Sequence, residues 1–177
     1  EQKDITPEKL GNNRVYFLPY LMGERSPIND TNARATFLGM SMDTTRSDMV
    51  QAVLEGVAFA IRDSFEVAKG LGIQIQRSKV CGGGAKSPLW RQIFANVLNL
   101  PLDIPQTEEG PGYGGAMLAM VGCGLYPSVK DCADALVSVR ETVLPDPAIA
   151  ARYEKQYRNF KEIYPALKPL FAKLQEQ

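Results

Sequence analysis

The sequence has no histidine among its 177 residues, and this absence removes several kinds of catalytic site. A Ser-His-Asp or Cys-His system needs an imidazole as its base, and a histidine-ligated metal centre needs one as a ligand. Any general base in this chain must therefore be a carboxylate, lysine, tyrosine or cysteine. Bound Mg²⁺ stays compatible with the sequence, because carboxylates and phosphates can hold it. We predict no metal-binding residue in the chain itself.

The sequence also has few cysteines, no net charge and no long apolar run. The three cysteines are odd in number and lack Cys-x-x-Cys spacing, so we expect buried small residues, not a disulfide framework or a zinc site. The 20 basic and 20 acidic residues cancel, which indicates neither a nucleic-acid partner nor an anionic membrane surface. No apolar run approaches the roughly 20 residues of a membrane helix, and the N-terminus lacks a signal peptide's apolar core. We therefore expect a cytoplasmic protein.

Apolar spacing and turn residues predict alternating strands and helices, which is typical of an α/β fold. Residues 1–13 are interpreted as a lead-in from a truncated domain, and residues 14–177 as one domain. The clearest helix is predicted over residues 48–68, with Thr45 and Asp48 forming a capping box. Gly56 inside it costs about 1 kcal/mol relative to alanine, so we expect another backbone to pack closely there.

Shorter elements are predicted on both sides of this helix. The strands are expected at residues 15–18, 35–40, 78–81 and 102–104, and the further helices at 88–98, 112–122, 128–137 and 146–164. Pro165 and Pro169 are expected to mark the end of the last helix. Three charged residues of the long helix are interpreted as its solvated or inter-domain face, and two aromatic residues as core anchors: Glu55, Arg62 and Asp63, and Trp90 with Phe94.

A short apolar strand at residues 78–81 runs into three glycines, Gly82, Gly83 and Gly84, and then into a helix. Glycines let main-chain N–H groups approach a bound group, and a helix N-terminus adds unpaired donors, which suits a nucleotide phosphate or ribose. A glycine-rich turn without a ligand is the alternative. A phosphate loop would need glycine where Ala85 and Val80 stand, so that motif is absent.

Residues 110–115 satisfy the pattern Gly-x-Gly-x-x-Gly literally. A dinucleotide fingerprint should follow its strand directly, but residues 105–109 intervene here, and Glu108 with Glu109 would repel a pyrophosphate. Gly114 and Gly115, with Ala116 and Ala119, leave little side chain on one helix face. We therefore expect these glycines to serve close helix packing.

Several segments together carry a resemblance to a known family. Residues 35–40 (ATFLGM) with 48–55 (DMVQAVLE) fit a C-terminal signature of the FGGY carbohydrate kinases, and residues 82–87 (GGGAKS) with 90–92 (WRQ) resemble that family's adenosine motif. Residues 17–27 (FLPYLMGERSP) resemble the form of a loop found in the family's xylulose-phosphorylating branch, and 164–169 (YPALKP) are similar to its tail. The chain therefore resembles the C-terminal domain of FGGY carbohydrate kinases from residue 14 onward.

The resemblance implies an actin-like ATPase fold with RNase-H-like domains, of which this chain is a partial C-terminal half in a two-domain sugar kinase. It implies that Gly82, Gly83, Gly84, Ala85 and Ser87 hold the adenosine of ATP or ADP, and that Ser26 and Pro27 lie along the other wall. ATP, with Mg²⁺ neutralising its phosphates, would phosphorylate xylulose to xylulose 5-phosphate. Two alternatives to a xylulose kinase remain: a kinase for another sugar of the family, and a catalytically silent actin-like binding module. The resemblance also leaves open whether the protein forms a homodimer.

The family's catalytic aspartate, its sugar-binding residues and its first phosphate loop match no residue of this chain. The resemblance therefore assigns no catalytic residue here, and the sugar is expected to bind mainly to the missing N-terminal domain. We expect the chain alone to bind nucleotide weakly at most and to have no kinase activity.

Overall fold

The computed structural model describes residues 2–107 and 110–175, and over these residues strands and helices alternate, as expected of an α/β protein. In chain order the elements are β1 (Tyr16–Leu18), β2 (Thr36–Leu38), α1 (Arg46–Gly70), β3 (Ser78–Lys79), α2 (Pro88–Leu98), β4 (Leu102–Pro105), α3 (Gly110–Gly122), α4 (Val129–Leu136), β5 (Val139–Val143) and α5 (Pro147–Gln175). Short 3₁₀ turns lie at Gln2–Asp4, Pro7–Lys9 and Gly83–Lys86.

The strands form two separate sheets. Strands β1 and β2 make an antiparallel ribbon, in which Phe17 lies opposite Phe37. In the second sheet β3 pairs in parallel with β4, and β4 pairs antiparallel with β5. Strand β5 was not predicted, because its residues are exposed except for Val143 and so lack the apolar alternation that indicates a half-buried strand.

The main core lies between α1, α2, α5 and β1. Aromatic rings join the two long helices: the ring of Phe59 in α1 is 5.9 Å from that of Tyr153 and 5.2 Å from that of Phe160, both in α5. Ile5 and Leu10, from the first residues of the chain, are buried in this same core. A smaller core joins the three-stranded sheet to α2 and consists of Ala95, Leu102, Ile104 and Val143.

Helix α5 continues through two prolines, so the predicted end at Tyr164 is wrong. It spans 29 residues and contains Pro165 and Pro169 in its interior. Each proline lacks an N–H donor and crowds the carbonyl one turn earlier, which ordinarily ends a helix. Phe171 is buried beyond both prolines, and its burial in the main core favours a continued helix.

Helix α1 begins as predicted and meets β1 at Gly56. The capping box is formed: the Asp48 N–H donates to Thr45 Oγ1 over 3.3 Å, and the Thr45 N–H donates to Asp48 Oδ2 over 2.9 Å. A Cβ placed on Gly56 would lie 2.1 Å from the carbonyl oxygen of Phe17. The expected close approach of another backbone is therefore confirmed.

Glu55 is 2% exposed, so the expectation that it lies on a solvated or inter-domain face is wrong. Its Oε1 accepts hydrogen bonds from Gln51 Nε2 at 2.7 Å and from the Tyr153 hydroxyl at 2.8 Å. Burial raises the pKa of Glu55 to about 7, although these bonds and one from the backbone of Gly11 lower it. The side chain joins α1, α5 and the start of the chain.

Arg62 and Asp63 also contact α5 of the same chain instead of forming a free surface. The Arg62 guanidinium lies 4.0 Å from the ring centre of Tyr157 and pairs with Glu154 at 2.5 Å. The Tyr157 hydroxyl donates to Asp63 Oδ1 over 2.6 Å. Burial raises the pKa of Asp63, against the lowering effect of that hydrogen bond and of nearby cations.

We expect Gly56→Ala to destabilise the fold by about 1–3 kcal/mol, because its Cβ would collide with a backbone carbonyl that has no rotamer to change. The free energy of urea unfolding measures the effect. Gly70→Ala is the matched control in the same helix, since its Cβ would meet nothing within 4 Å. Equal stability of the two variants would contradict the close contact.

Glu55→Gln should weaken the pH dependence of stability. A carboxyl whose folded pKa exceeds its unfolded pKa contributes stability that is complete below the unfolded value of 4.5 and lost as pH rises through about 7. The glutamine has no such titration, so its unfolding free energy should fall less across that window. Urea unfolding at a series of pH values checks this, and exposed Glu162→Gln should keep the slope of the unmodified chain.

Candidate functional site

Residues 82–87 form a tight turn between β3 and α2. Gly82 has a φ of 90°, a conformation that favours glycine. The Ala85 N–H donates to the Gly82 carbonyl at 3.1 Å, and the Ser87 N–H donates to the Gly84 carbonyl at 3.2 Å. Gly82 and Gly83 are exposed, and a Cβ on either would meet nothing within 4 Å. Their backbone is therefore open to a ligand.

The third glycine has a different role, because the indole of Trp90 lies against it. A Cβ on Gly84 would be 2.4 Å from Trp90 Cζ3. The same indole donates from Nε1 to the Leu54 carbonyl of α1 at 3.0 Å, and its ring centre is 5.5 Å from that of Phe94. Trp90 and Phe94 pack against the main core, as predicted. Trp90 also holds the glycine turn against α1, a role that helical spacing alone did not indicate.

Ser87 is the N-cap of α2. Its Oγ accepts from the Trp90 N–H at 3.2 Å and donates to Gln2 Oε1 at 3.0 Å. Pro88 follows at the first helical position, where a missing N–H costs little. The hydroxyl of Ser87 therefore orders the helix start and links it to the beginning of the chain.

A cleft of about 180 Å³ lies where the parallel strands β3 and β4 end, and it is lined by Cys81, which precedes the glycine turn, and by the start of α3. In open α/β sheets, ligands bind outside the carboxyl ends of the strands. The polar residues that line it are Lys79, Cys81, Thr107, Tyr113 and Ser138. None of them was among the predicted site residues. Lys79 and Cys81 could have been found from their position at the end of a predicted strand, whereas Ser138 precedes the strand that was missed.

Cys81 and Cys123 are exposed, and only Cys132 is buried, so the expectation of three buried cysteines is wrong for two of them. Cys81 directly precedes the glycine turn, where the chain leaves the sheet. Its sulfur lies 3.6 Å from the position of a Cβ on Gly110. The cleft therefore brings the end of β3 and the start of α3 together.

The expected close helix packing of the α3 glycines is not found within the described part of the chain. A Cβ on Gly112, Gly114 or Gly115 would meet nothing within 4 Å, and no residue of α3 is buried. The dinucleotide pattern rejected above begins at the first turn of this helix. Glu108 and Glu109, which were expected to repel a pyrophosphate, lie outside the described residues.

Over residues 2–107 and 110–175, the acidic and cysteine side chains form no group of three or more that could hold a metal ion. In the same part of the chain, no helix combines the length and the apolar character that crossing a membrane requires.

The comparisons with known proteins decide the family. The model for the C-terminal domain of the FGGY family of carbohydrate kinases matches residues 2–123, which contain the glycine turn, α1 and α2. This chain belongs to the FGGY family of carbohydrate kinases. The resemblance predicted from the signature segments is confirmed.

A curated relative and two solved structures show how much of an FGGY kinase is present. The xylulose kinase of Staphylococcus epidermidis is 36% identical over 166 residues, which cover 94% of this chain and 34% of that protein. The gluconate kinase structure from Lactobacillus acidophilus superposes with a TM-score of 0.85 at 28% identity, covering 98% of this chain and 34% of that one. The ligand-bound xylulose kinase structure from the same organism superposes with a TM-score of 0.82 at 28% identity. This match covers 97% of this chain and 37% of that one.

The chain thus spans about a third of the length of the relatives that it matches. The fold is the actin-like ATPase fold of the FGGY sugar kinases. The chain forms part of the C-terminal domain of such a kinase. The FGGY match begins at residue 2, so residues 2–13 are inside the region that the family model covers.

The two residues predicted for the second wall of the nucleotide site, Ser26 and Pro27, lie in the loop between β1 and β2. Ser26 and Pro27 are joined by a cis peptide bond, and the Ser26 N–H donates to Glu24 Oε1 at 3.2 Å. Pro27 lines a cleft of about 410 Å³ between the early loop, α1 and α5, and no lining residue of that cleft comes from residues 82–87. The assignment of Ser26 and Pro27 to the nucleotide stays a prediction.

We expect Gly84→Ala to displace the Trp90 indole, because the added methyl group would overlap the ring. Trp90 is the one tryptophan of the sequence, so its fluorescence reports the change directly. A red shift of its emission and a loss of stability are expected. Gly83→Ala is the matched control, since its Cβ meets no neighbour, and it should leave the emission unchanged. Identical spectra for both variants would contradict this arrangement.

Proposed function

We propose that this chain is the nucleotide-binding portion of an ATP-dependent sugar kinase, and that the whole enzyme phosphorylates D-xylulose to D-xylulose 5-phosphate in the cytoplasm. One observation carries the nucleotide part of the proposal. The backbone of Gly82 and Gly83 is open to a ligand and is next in sequence to Cys81, which lines the cleft at the carboxyl ends of β3 and β4. The choice of sugar follows the relative from Staphylococcus epidermidis, which is a xylulose kinase.

The proposed binding of adenosine uses the shape of the turn more than its side chains. Gly82, Gly83, Gly84 and Ala85 offer a main chain that the flat face of a nucleoside can approach closely. Ser87 supports the site by capping α2, since its hydroxyl already makes two contacts within the chain. Trp90 supports it from behind by holding Gly84 against α1. Ser26 and Pro27 remain proposed for the opposite wall.

The proposed reaction forms a bond between a sugar hydroxyl oxygen and the γ-phosphorus of ATP. The bond from that phosphorus to the bridging β–γ oxygen breaks, ADP leaves, and the hydroxyl proton passes to a general base. Catalysis of this transfer depends mainly on positioning and charge stabilisation. In our proposal this chain contributes the positioning of the nucleotide, and the base belongs to the part of the kinase outside it.

The pKa of Glu55, about 7, suits proton transfer near neutral pH, as a general base requires. Its geometry argues against this role. The side chain is buried in the main core and its Oε1 is held by Gln51 and Tyr153, so a substrate cannot reach it. The raised pKa of Glu55 is therefore explained by its burial in the core and not by a role in catalysis.

Mg²⁺ would supply charge neutralisation on the transferring phosphate. The described residues contain no cluster of ligands that fits the ion, so we assign its coordination to the nucleotide phosphates and to groups outside this chain.

One solved structure supports an alternative sugar. The gluconate kinase structure superposes on this chain with a TM-score of 0.85, against 0.82 for the xylulose kinase of the same organism, at equal identity. The alternative proposal is therefore that the whole enzyme phosphorylates another FGGY substrate such as gluconate. Coupled measurement of ADP release by the whole enzyme with xylulose, ribulose, glycerol and gluconate separates the two, and no turnover with any sugar would favour a silent actin-like module.

The chain alone is expected to release no ADP in response to xylulose, because we assign the general base and the sugar-binding residues to the part of the kinase outside it. The same coupled assay on the purified chain tests this expectation. Xylulose-dependent ADP release above the level seen without sugar would overturn it.

In the whole kinase, Gly83→Val should raise the KM for ATP severalfold and leave the KM for xylulose unchanged. The valine side chain would stand where the nucleotide approaches, whereas nothing in the chain itself is within 4 Å of a Cβ there. Gly70→Val, on an equally open glycine at the end of α1, is the control. An unchanged KM for ATP in Gly83→Val would contradict the proposal that the nucleotide binds at the glycine turn.

A further inference from the structure

A polar cleft of about 370 Å³ lies between the first residues of the chain and the start of α1. Its walls come from residues 8–15, from the loop between β2 and α1, and from the first two turns of α1. None of the residues that line it belongs to the glycine turn at residues 82–87. The volume of this cleft is in the range of sites that bind small molecules.

Gln51 carries an unused hydrogen-bond acceptor in this cleft, although the residue is only 1% exposed. Its Nε2 donates to the Lys9 carbonyl at 2.9 Å and to Glu55 Oε1 at 2.7 Å, and these two acceptors fix the orientation of the amide. Its Oε1 receives no hydrogen bond from the residues that the structure describes. This oxygen is not one of the fully buried unpartnered atoms among those residues, so it is open to the cleft. A nearly buried carbonyl oxygen of this kind gains from a ligand that donates to it.

Further groups with unused hydrogen-bonding capacity line the same cleft. Asp48 accepts from Thr45 through Oδ2, whereas its Oδ1 has no partner in the described part of the chain. Hydrogen bonds from the side chain and backbone of Thr45 lower the pKa of Asp48, so it is a carboxylate at neutral pH. The side chains of Asp43 and Arg14 are exposed, and neither makes a hydrogen bond or ion pair within the described residues. The cleft therefore offers both acceptors and donors.

This combination favours a ligand with several hydroxyl groups. The charged residues that line the cleft are Glu8, Lys9, Arg14, Asp43 and Asp48. An anion would therefore meet three carboxylates, and an organic cation would meet an ammonium and a guanidinium. Val15 is the one apolar side chain among the described lining residues, so a flat aromatic ligand has no ring to stack on. Hydroxyl groups are neutral, and each can donate to a carboxylate and accept from a guanidinium.

We propose that this cleft binds a small neutral polyol or sugar, with one hydroxyl donating to Gln51 Oε1 and neighbouring hydroxyls contacting Asp43, Asp48 and Arg14. Hydroxyls on successive carbon atoms let one such molecule meet acceptors and donors together. Its occupant joins the first residues of the chain to the loop before α1. The site is additional to the glycine turn, and the proposal holds whichever sugar the whole enzyme phosphorylates.

The test uses the whole kinase, with xylitol and D-xylulose as probes, and measures amide hydrogen exchange at residues 39–51. Either probe at saturation should slow exchange there severalfold, because a bound ligand suppresses local opening, and the more potent probe shows whether a polyol or a ketose is preferred. Asp43→Ala and Arg14→Ala should each raise the concentration for half-maximal protection about tenfold, as loss of a hydrogen bond to a charged group does. Glu162→Ala, which removes an exposed carboxylate of α5, is the matched control and should leave that concentration unchanged.

Thermal unfolding shows whether the variants act on binding alone. Asp43→Ala and Arg14→Ala should unfold at the temperature of the unmodified enzyme, because both side chains are exposed and make no hydrogen bond within the described residues. Three results would overturn the proposal: no protection by either probe, protection that both variants leave unchanged, or stronger protection by propylamine or inorganic phosphate than by xylitol. These readouts do not use ADP release, so a failure of the proposed kinase reaction is distinguishable from a failure of this site.

Discussion

Three consecutive residues of α1 hold its three neighbours, and the rest of the structure depends on this turn of the helix. The carbonyl of Leu54 accepts the Trp90 indole of α2, the carboxyl of Glu55 receives the Tyr153 hydroxyl of α5, and Gly56 lets the backbone of β1 come into contact. Successive residues point about 100° apart around a helix, so one turn can face three elements at once. Two of these contacts are hydrogen bonds and the third is a close approach of two backbones. Each therefore fixes the position of one neighbouring element relative to α1.

The position of the candidate nucleotide site depends on this turn of α1. Trp90 connects the Leu54 carbonyl to Gly84, and this positions the open main chain at Gly82 and Gly83 relative to α1. Ser87 completes the arrangement by capping the following helix. A site built this way has few functional side chains to recognise, which is consistent with a ligand held mainly by its shape and by backbone donors.

The chain divides into a well-buried part and a bare one. Two long helices, their aromatic contacts and the first residues of the chain form the main core, whereas α3 has no buried residue and exposes Leu118. A protein domain buries the apolar faces of its layers against one another. In α3 and α4, Cys132 is the one residue that is buried in this way.

Local patterns in the sequence determined the capping box of α1, the start of α2 at Pro88, the α/β class and the close contact at Gly56, because each depends on neighbouring residues or on the missing side chain of glycine. The signature segments also identified the family. Only the tertiary structure decided that Glu55 is buried, that Cys81 is exposed, that α5 passes through Pro165 and that the α3 glycines face outward. Each of these depends on what lies opposite the residue in space, and contacts between distant segments can outweigh the local preference for charge at the surface or for a helix end at proline.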